Sequence, residues 1–210
     1  MKTLVGILLA SLLLSSGCTT SRITSSWKAK GEITPVFQKI LVLGLLHENN
    51  HALQQRMETH LADDLKMLGY KTITSLDEYG PKAFEHMSEK EALEKLKYSG
   101  IDGVLTIVLL DKAKEQYYVP GRIHYSPYGF YYDRFWGYRG VLYQRIYEPG
   151  YYVTDTQYFW ESNLYMVQTQ QLVYSVQTES FDPVNTQNQA HEYGKLIIKN
   201  MLTNGIIKQN

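Results

Sequence analysis

Two apolar runs constrain the fold more than anything else in the chain. They are KILVLGLL at residues 39–46 and GVLTIVLL at residues 103–110. Neither alternates polar with apolar residues. A short run of this kind suits a strand buried on both faces, the condition of a parallel sheet covered by helices. Between the runs the period changes. Leu53, Met57, Leu61, Leu65 and Leu68 recur every three or four residues with Gln, Arg, Glu and Asp between them. That spacing predicts an amphipathic helix, closed at Gly69. Residues 71–76 (KTITSL) are β-branched enough to read as a second strand. Ser88 and Glu91 form the pattern of a capping box ahead of Ala92, Leu93 and Leu96, so a second helix starts there and stops at Gly100.

The third strand, begun at 103, runs on through residues 112–119 as a more polar ribbon. Residues 151–167 and 171–180 read as two further strands. In the second, Leu172, Tyr174, Val176 and Thr178 alternate with Val173, Ser175, Gln177 and Glu179, which suits an antiparallel strand with one wetter face. Asp182-Pro183 is a helix start, and Ala190, Tyr193, Leu196, Ile197 and Met201 make the stripe of a last helix closed near Gly205. The order β-α-β-α-β-β-β-α defines an α/β (α+β) fold with a single mixed sheet. Right-handed crossovers make its first three strands parallel, with the helices on one face or split between both.

The N-terminal residues point to location. Lys2 precedes an apolar run at 4–14, then Ser15, Ser16, Gly17 and Cys18. The run is too short to span a bilayer as a mature helix and suits the apolar part of a signal peptide. It resembles a bacterial lipoprotein signal, in which the cysteine is lipidated and becomes the first residue, although Ser15 stands where such signals prefer Leu or Val. An ordinary secretory signal is the alternative. Cys18 is the only cysteine, so the mature chain has no internal disulfide even in an oxidising compartment. Thr19, in place of the Asp that retains lipoproteins at the inner membrane, implies by the same resemblance the periplasmic face of the outer membrane. The organisation expected is a signal at 1–17, a lipidated Cys18 with a tether at 18–38 and a domain at 39–210. Trp27 is the tether residue placed to pack on the domain. Fully extended, the tether would reach about 60 Å. The chain holds 21 Lys and Arg and 21 Asp and Glu, and removing Lys2 with the signal leaves 20 against 21. That balance predicts no strong attraction to nucleic acid or to an anionic surface.

Three local features carry a family resemblance: KILVLGLL running into a helix with Arg56 and Leu65-x-x-Leu68-Gly69; Gly100-Ile101-Asp102-Gly103-Val104-Leu105; and Leu172-Val173-Tyr174-Ser175 before a terminal helix. Together with the element order they resemble the CsgG and TolB amino-terminal-domain group, which includes small outer-membrane lipoprotein activators of cell-wall synthases. The resemblance spans residues 39–207 apart from an insert. It implies a non-catalytic envelope domain that binds a partner protein or assembles.

One motif argues otherwise. His47-Glu48-Asn49-Asn50-His51 spells the H-E-x-x-H of zinc peptidases. That chemistry needs both imidazoles one helical turn apart on one helix face, with the Glu polarising the attacking water. Here His47 directly follows a strand, Asn49 and Asn50 favour caps, and the helical stripe begins at Leu53. Gln54 and Met57 occupy the places of the extended motif's Gly and third His, and Glu58 is too near on the same helix to act as a downstream ligand. The segment reads as a strand-to-helix turn, and no metal or cofactor is expected. His60, His86, His124 and His191 show no ligand spacing in the sequence. No nucleophile elbow or Gly-rich phosphate loop is present in the sequence, so no catalytic residue is assigned.

The segment between Tyr117 and Tyr158 holds twelve of the eighteen tyrosines, and residues 121–150 hold five glycines and two prolines. So many breakers exclude a long regular element. Tyr131, Tyr132, Arg134, Phe135, Trp136, Tyr138 and Arg139 form its centre. Tyr and Trp bury large area at low entropic cost and Arg adds directional donors, the composition of a recognition loop. The partner would be an envelope protein, or a glycan such as peptidoglycan. The other reading is a loop whose aromatics pack on their own domain. Nucleic acid is excluded by the neutral charge and the periplasmic address.

Overall fold

The computed structural model describes residues 21–30, 36–46, 50–82, 84–115, 153–181 and 186–209. These form six strands and four helices: β1 (Ser21–Lys28), β2 (Lys39–Leu45), α1 (His51–Met67), β3 (Lys71–Thr74), α2 (Ser75–Tyr79), α3 (Glu89–Tyr98), β4 (Gly103–Glu115), β5 (Val153–Met166), β6 (Leu172–Phe181) and α4 (Thr186–Thr203). All six strands lie in one mixed sheet, ordered β1-β6-β5-β4-β2-β3. The two apolar runs pair in parallel, Ile40 opposite Gly103 through Leu45 opposite Val108, and β3 pairs in parallel with the outer side of β2. The β4–β5, β5–β6 and β6–β1 pairs are antiparallel. The fold class expected from the runs is the one observed.

Strict alternation along the buried strands explains why both runs, beyond Lys39, are apolar save for Thr106, whose hydroxyl donates to Asn163 O. Ile40 and Val42 of β2, with Leu105, Ile107 and Leu109 of β4, enter one core with α1 and α4. Leu41, Leu43, Leu45, Val104 and Val108 enter a second core on the other face, with Phe84 and with Ala92 and Leu96 of α3. Each fully buried Leu or Ile stabilises by about 2 kcal/mol. Gly44 interrupts the first run because α1 passes close by: a Cβ there would lie 2.6 Å from Gln54 Cγ. The expected stops are present, with Gly69, Gly100 and Gly205 in the left-handed region. The Ser88–Glu91 capping box is complete.

Two elements differ from the sequence reading. Residues 21–28, expected within a tether, form edge strand β1 against β6. The second strand ends at Thr74 instead of Leu76, because the Thr74 side chain accepts from Asp77 N and caps the short α2. The helix start expected at Asp182-Pro183 lies outside the described residues, and α4 is described from Thr186.

Candidate functional site

Cys18, the insert residues Tyr131, Tyr132, Arg134, Phe135, Trp136, Tyr138 and Arg139, and His47 and Glu48 of the zinc-like motif all lie outside the described residues. The structure does place their neighbours. His51 is the exposed first residue of α1, so its helix begins after the other residues of the motif. The β4–β5 ribbon from which the insert departs is long and paired from Gly103–Met166 to Glu115–Val153.

The strand-to-helix junction is organised by a residue that sequence spacing made look incidental. Glu58 is buried on α1, two turns from its start. Its Oε1 accepts from Gly44 N at 2.7 Å, Gln54 Nε2 at 2.9 Å and Ser75 Oγ at 2.7 Å, and its Oε2 accepts from Leu76 N at 3.2 Å. One carboxylate thus holds the end of β2 and the start of α2 to α1. Burial pushes its pKa up, and these four donors oppose that rise. Only its position on the stripe side of the helix could have signalled the role.

A second polar group crosses the sheet on the α3 face. Arg22 is paired with Glu179, which also accepts from Gln157 Nε2 at 3.4 Å. Next to this pair, Glu161 accepts from Gln177 Nε2 at 2.8 Å and from Asn163 Nδ2 at 3.0 Å, and Ser25 Oγ donates to Gln177 Oε1 at 3.1 Å. Glu161, Asn163 and Glu179 are buried. Both carboxylates are therefore engaged by neighbouring side chains, an arrangement suited to fixing strand register.

The third group was invisible in the sequence. His60 on α1 and His191 on α4 meet edge to face, with ring centroids 6.0 Å apart. Between the same helices, burial raises the pKa of Asp64, opposed by the charges of His191 and His60. Gly194 permits the crossing, since a Cβ there would fall 2.4 Å from Asp64 Oδ2. Among the described residues no three His, Cys, Asp or Glu are grouped to hold a metal ion. Among them, too, no helix is long and apolar enough to cross a membrane.

No protein-family model matches the chain. No curated protein matches it either. Solved structures with some likeness include two of the PelC dodecamer from Paraburkholderia phytofirmans. They have TM-scores of 0.44 and 0.44 at 11% and 10% identity, and cover 82% and 84% of this chain and 94% of each of those chains. Lipoprotein GNA1162 from Neisseria meningitidis has a TM-score of 0.41 at 13% identity, covering 81% of this chain and 99% of that one. Likeness at this level carries no statement about chemistry.

Proposed function

We propose that the chain is a lipoprotein of the outer membrane, anchored through Cys18, whose single α+β domain is a non-catalytic interaction module of the cell envelope. The observation that carries the reading is the apolar run 4–14 leading through Ser15, Ser16 and Gly17 to the sole cysteine, with a folded strand from Ser21. Because β1 begins at Ser21, three residues after Cys18, the chain between a lipid on that sulfur and the sheet could reach no more than about 10 Å. In the register, Ser21 lies beside Ser180, Ser180 beside Tyr158 and Tyr158 beside Lys112. The start of β1, which follows Cys18 in the chain, and the far end of the β4–β5 ribbon therefore share one end of the sheet.

The anchor has a direct test. Cys18→Ala should abolish incorporation of labelled palmitate and move the protein from the membrane to the soluble fraction. Retention of label and membrane location would sink the anchor. The module reading has another. Deleting residues 121–150 should leave the unfolding midpoint near that of the full chain, because β4 and β5 pair through eleven register positions without it. The same deletion should abolish capture of an envelope protein by in-cell crosslinking. Unchanged capture would show that the insert is not the contact.

A further inference from the structure

The zero net charge of this chain conceals a separation of charge along the sheet. At one end lie the starts of β2, β3 and β4 and the ends of β1, α1, α3 and α4. Lys39 and Lys71 are register partners on β2 and β3, and Lys28 closes β1. Lys30, Lys66, Lys95, Lys97, Lys199 and Lys208 belong to the same end, counted to one turn from each helix terminus. Its carboxylates among the described residues are Asp102 and, within one turn of the helix ends, Asp63, Asp64 and Glu94. Nine lysines less four carboxylates leave a local excess of five positive charges.

Helix dipoles account for only part of this. Lys66 and Lys97 are in the last turns of α1 and α3, where a cation is favoured. Lys28 Nζ donates to Asn204 O and Lys39 Nζ to Ser99 O, each 3.0 Å away, and Lys66 pairs with Asp63. Asp102 is occupied by Gln38 N and Lys39 N. Lys30 and Lys71, on a loop and a strand, and Lys208, beyond α4, are exposed and close no helix. The same end carries the exposed large hydrophobics among the described residues: Val36, Met67, Tyr98 at 95% exposure and Leu202.

We propose that this end of the sheet is a docking surface for a carboxylate-bearing glycopeptide polymer of the wall type. Three features select that occupant. The excess charge is positive and made of lysine point charges, which suit separate carboxylates better than planar bidentate recognition. Its strand lysines stand on β1 at one edge and on β2 and β3 at the other, edges about 24 Å apart at a spacing of about 4.8 Å, which suits spaced charges of a polymer rather than one small ligand in a pocket. Tyr98 offers a bare aromatic face for a sugar ring. Membrane lipid is the other anionic candidate, and it lies on the opposite side if Cys18 is the anchor; the orientation, though not the binding, rests on that reading.

The test uses the full lipidated chain in phosphatidylcholine vesicles and co-sedimentation with purified peptidoglycan sacculi over a salt series. The triple variant Lys71→Glu, Lys97→Glu, Lys208→Glu should bind sacculi about 10-fold more weakly, with a flatter salt dependence. Lys90→Glu, at the start of α3, should bind as the parent does. Sacculi whose carboxyls have been amidated should be bound poorly. Equal binding by the triple variant, equal binding of amidated sacculi, or capture of anionic-lipid vesicles in preference to sacculi would overturn the proposal. Soluble Cys18→Ala protein that still binds sacculi through these lysines would support the docking surface, whatever palmitate labelling says of the anchor.

Discussion

Glu58→Ala should lower the free energy of unfolding by about 3–5 kcal/mol, read from the urea midpoint at constant slope. The change leaves Gly44 N, the Ser75 hydroxyl, Gln54 Nε2 and Leu76 N without the acceptor they share. An orphaned buried donor costs about 1–3 kcal/mol, and partial rearrangement keeps the sum below four full penalties. Glu58→Gln keeps an oxygen for three of the donors but turns an amide toward Leu76 N, so it should cost about 1–2 kcal/mol. The pair also isolates a pH effect. Burial holds the Glu58 carboxyl above the usual range in the folded chain, so the folded state keeps its proton to higher pH than the unfolded state does. The stability contributed by that titration is full below the ordinary carboxyl value of 4.5 and falls as pH rises through the raised value. Since the Gln variant does not titrate there, the stability of the parent relative to Glu58→Gln should decline over that window. A difference that is flat with pH would contradict the assigned direction.

What the sequence disclosed and what it hid divide along one physical line. The apolar runs 39–46 and 103–110, the stripe from Leu53 to Leu65 and the Ser88–Glu91 box are local patterns with strong periods, and each corresponds to an observed element. β1 is different. Its large apolar residues are Ile23 and Trp27, four apart, which by simple alternation would share a face. Ile23 instead packs on the core beneath α1 and α4, and Trp27 on the core beneath α3. A bulge between Ile23 and Ser25 shifts the register by one residue and turns the strand over. With so few apolar residues and a reversed face, no period-2 signal survives. Glu58, the His60–His191 contact and the lysines at the sheet end were hidden for another reason. Their roles depend on partners brought from distant parts of the chain.

The second large effect is expected at Trp160. Trp160→Ala should cost about 4 kcal/mol. The indole is fully buried at the middle of β5, nearly parallel to the Tyr158 ring at a centroid distance of 6.0 Å and tilted against Tyr193 of α4 at 5.6 Å. Its removal opens a cavity between the central sheet and α4, which partial collapse cannot fill while Tyr193 OH is held to Ser162 Oγ at 2.6 Å. Tyr193→Phe loses that hydrogen bond but keeps the ring, and should cost about 1 kcal/mol. If Trp160→Ala cost no more than Tyr193→Phe, the junction of β5 and α4 would be loosely packed. The comparison bears on function because β5 is where the chain re-enters the sheet after the aromatic insert, and α4 carries the end of the fold to the lysine-rich side. The Trp160 layer lies between these two ends. Coupling between the two proposed contact regions is read by a double-mutant cycle that combines Trp160→Ala with a change at each end, not by the Trp160 cost alone.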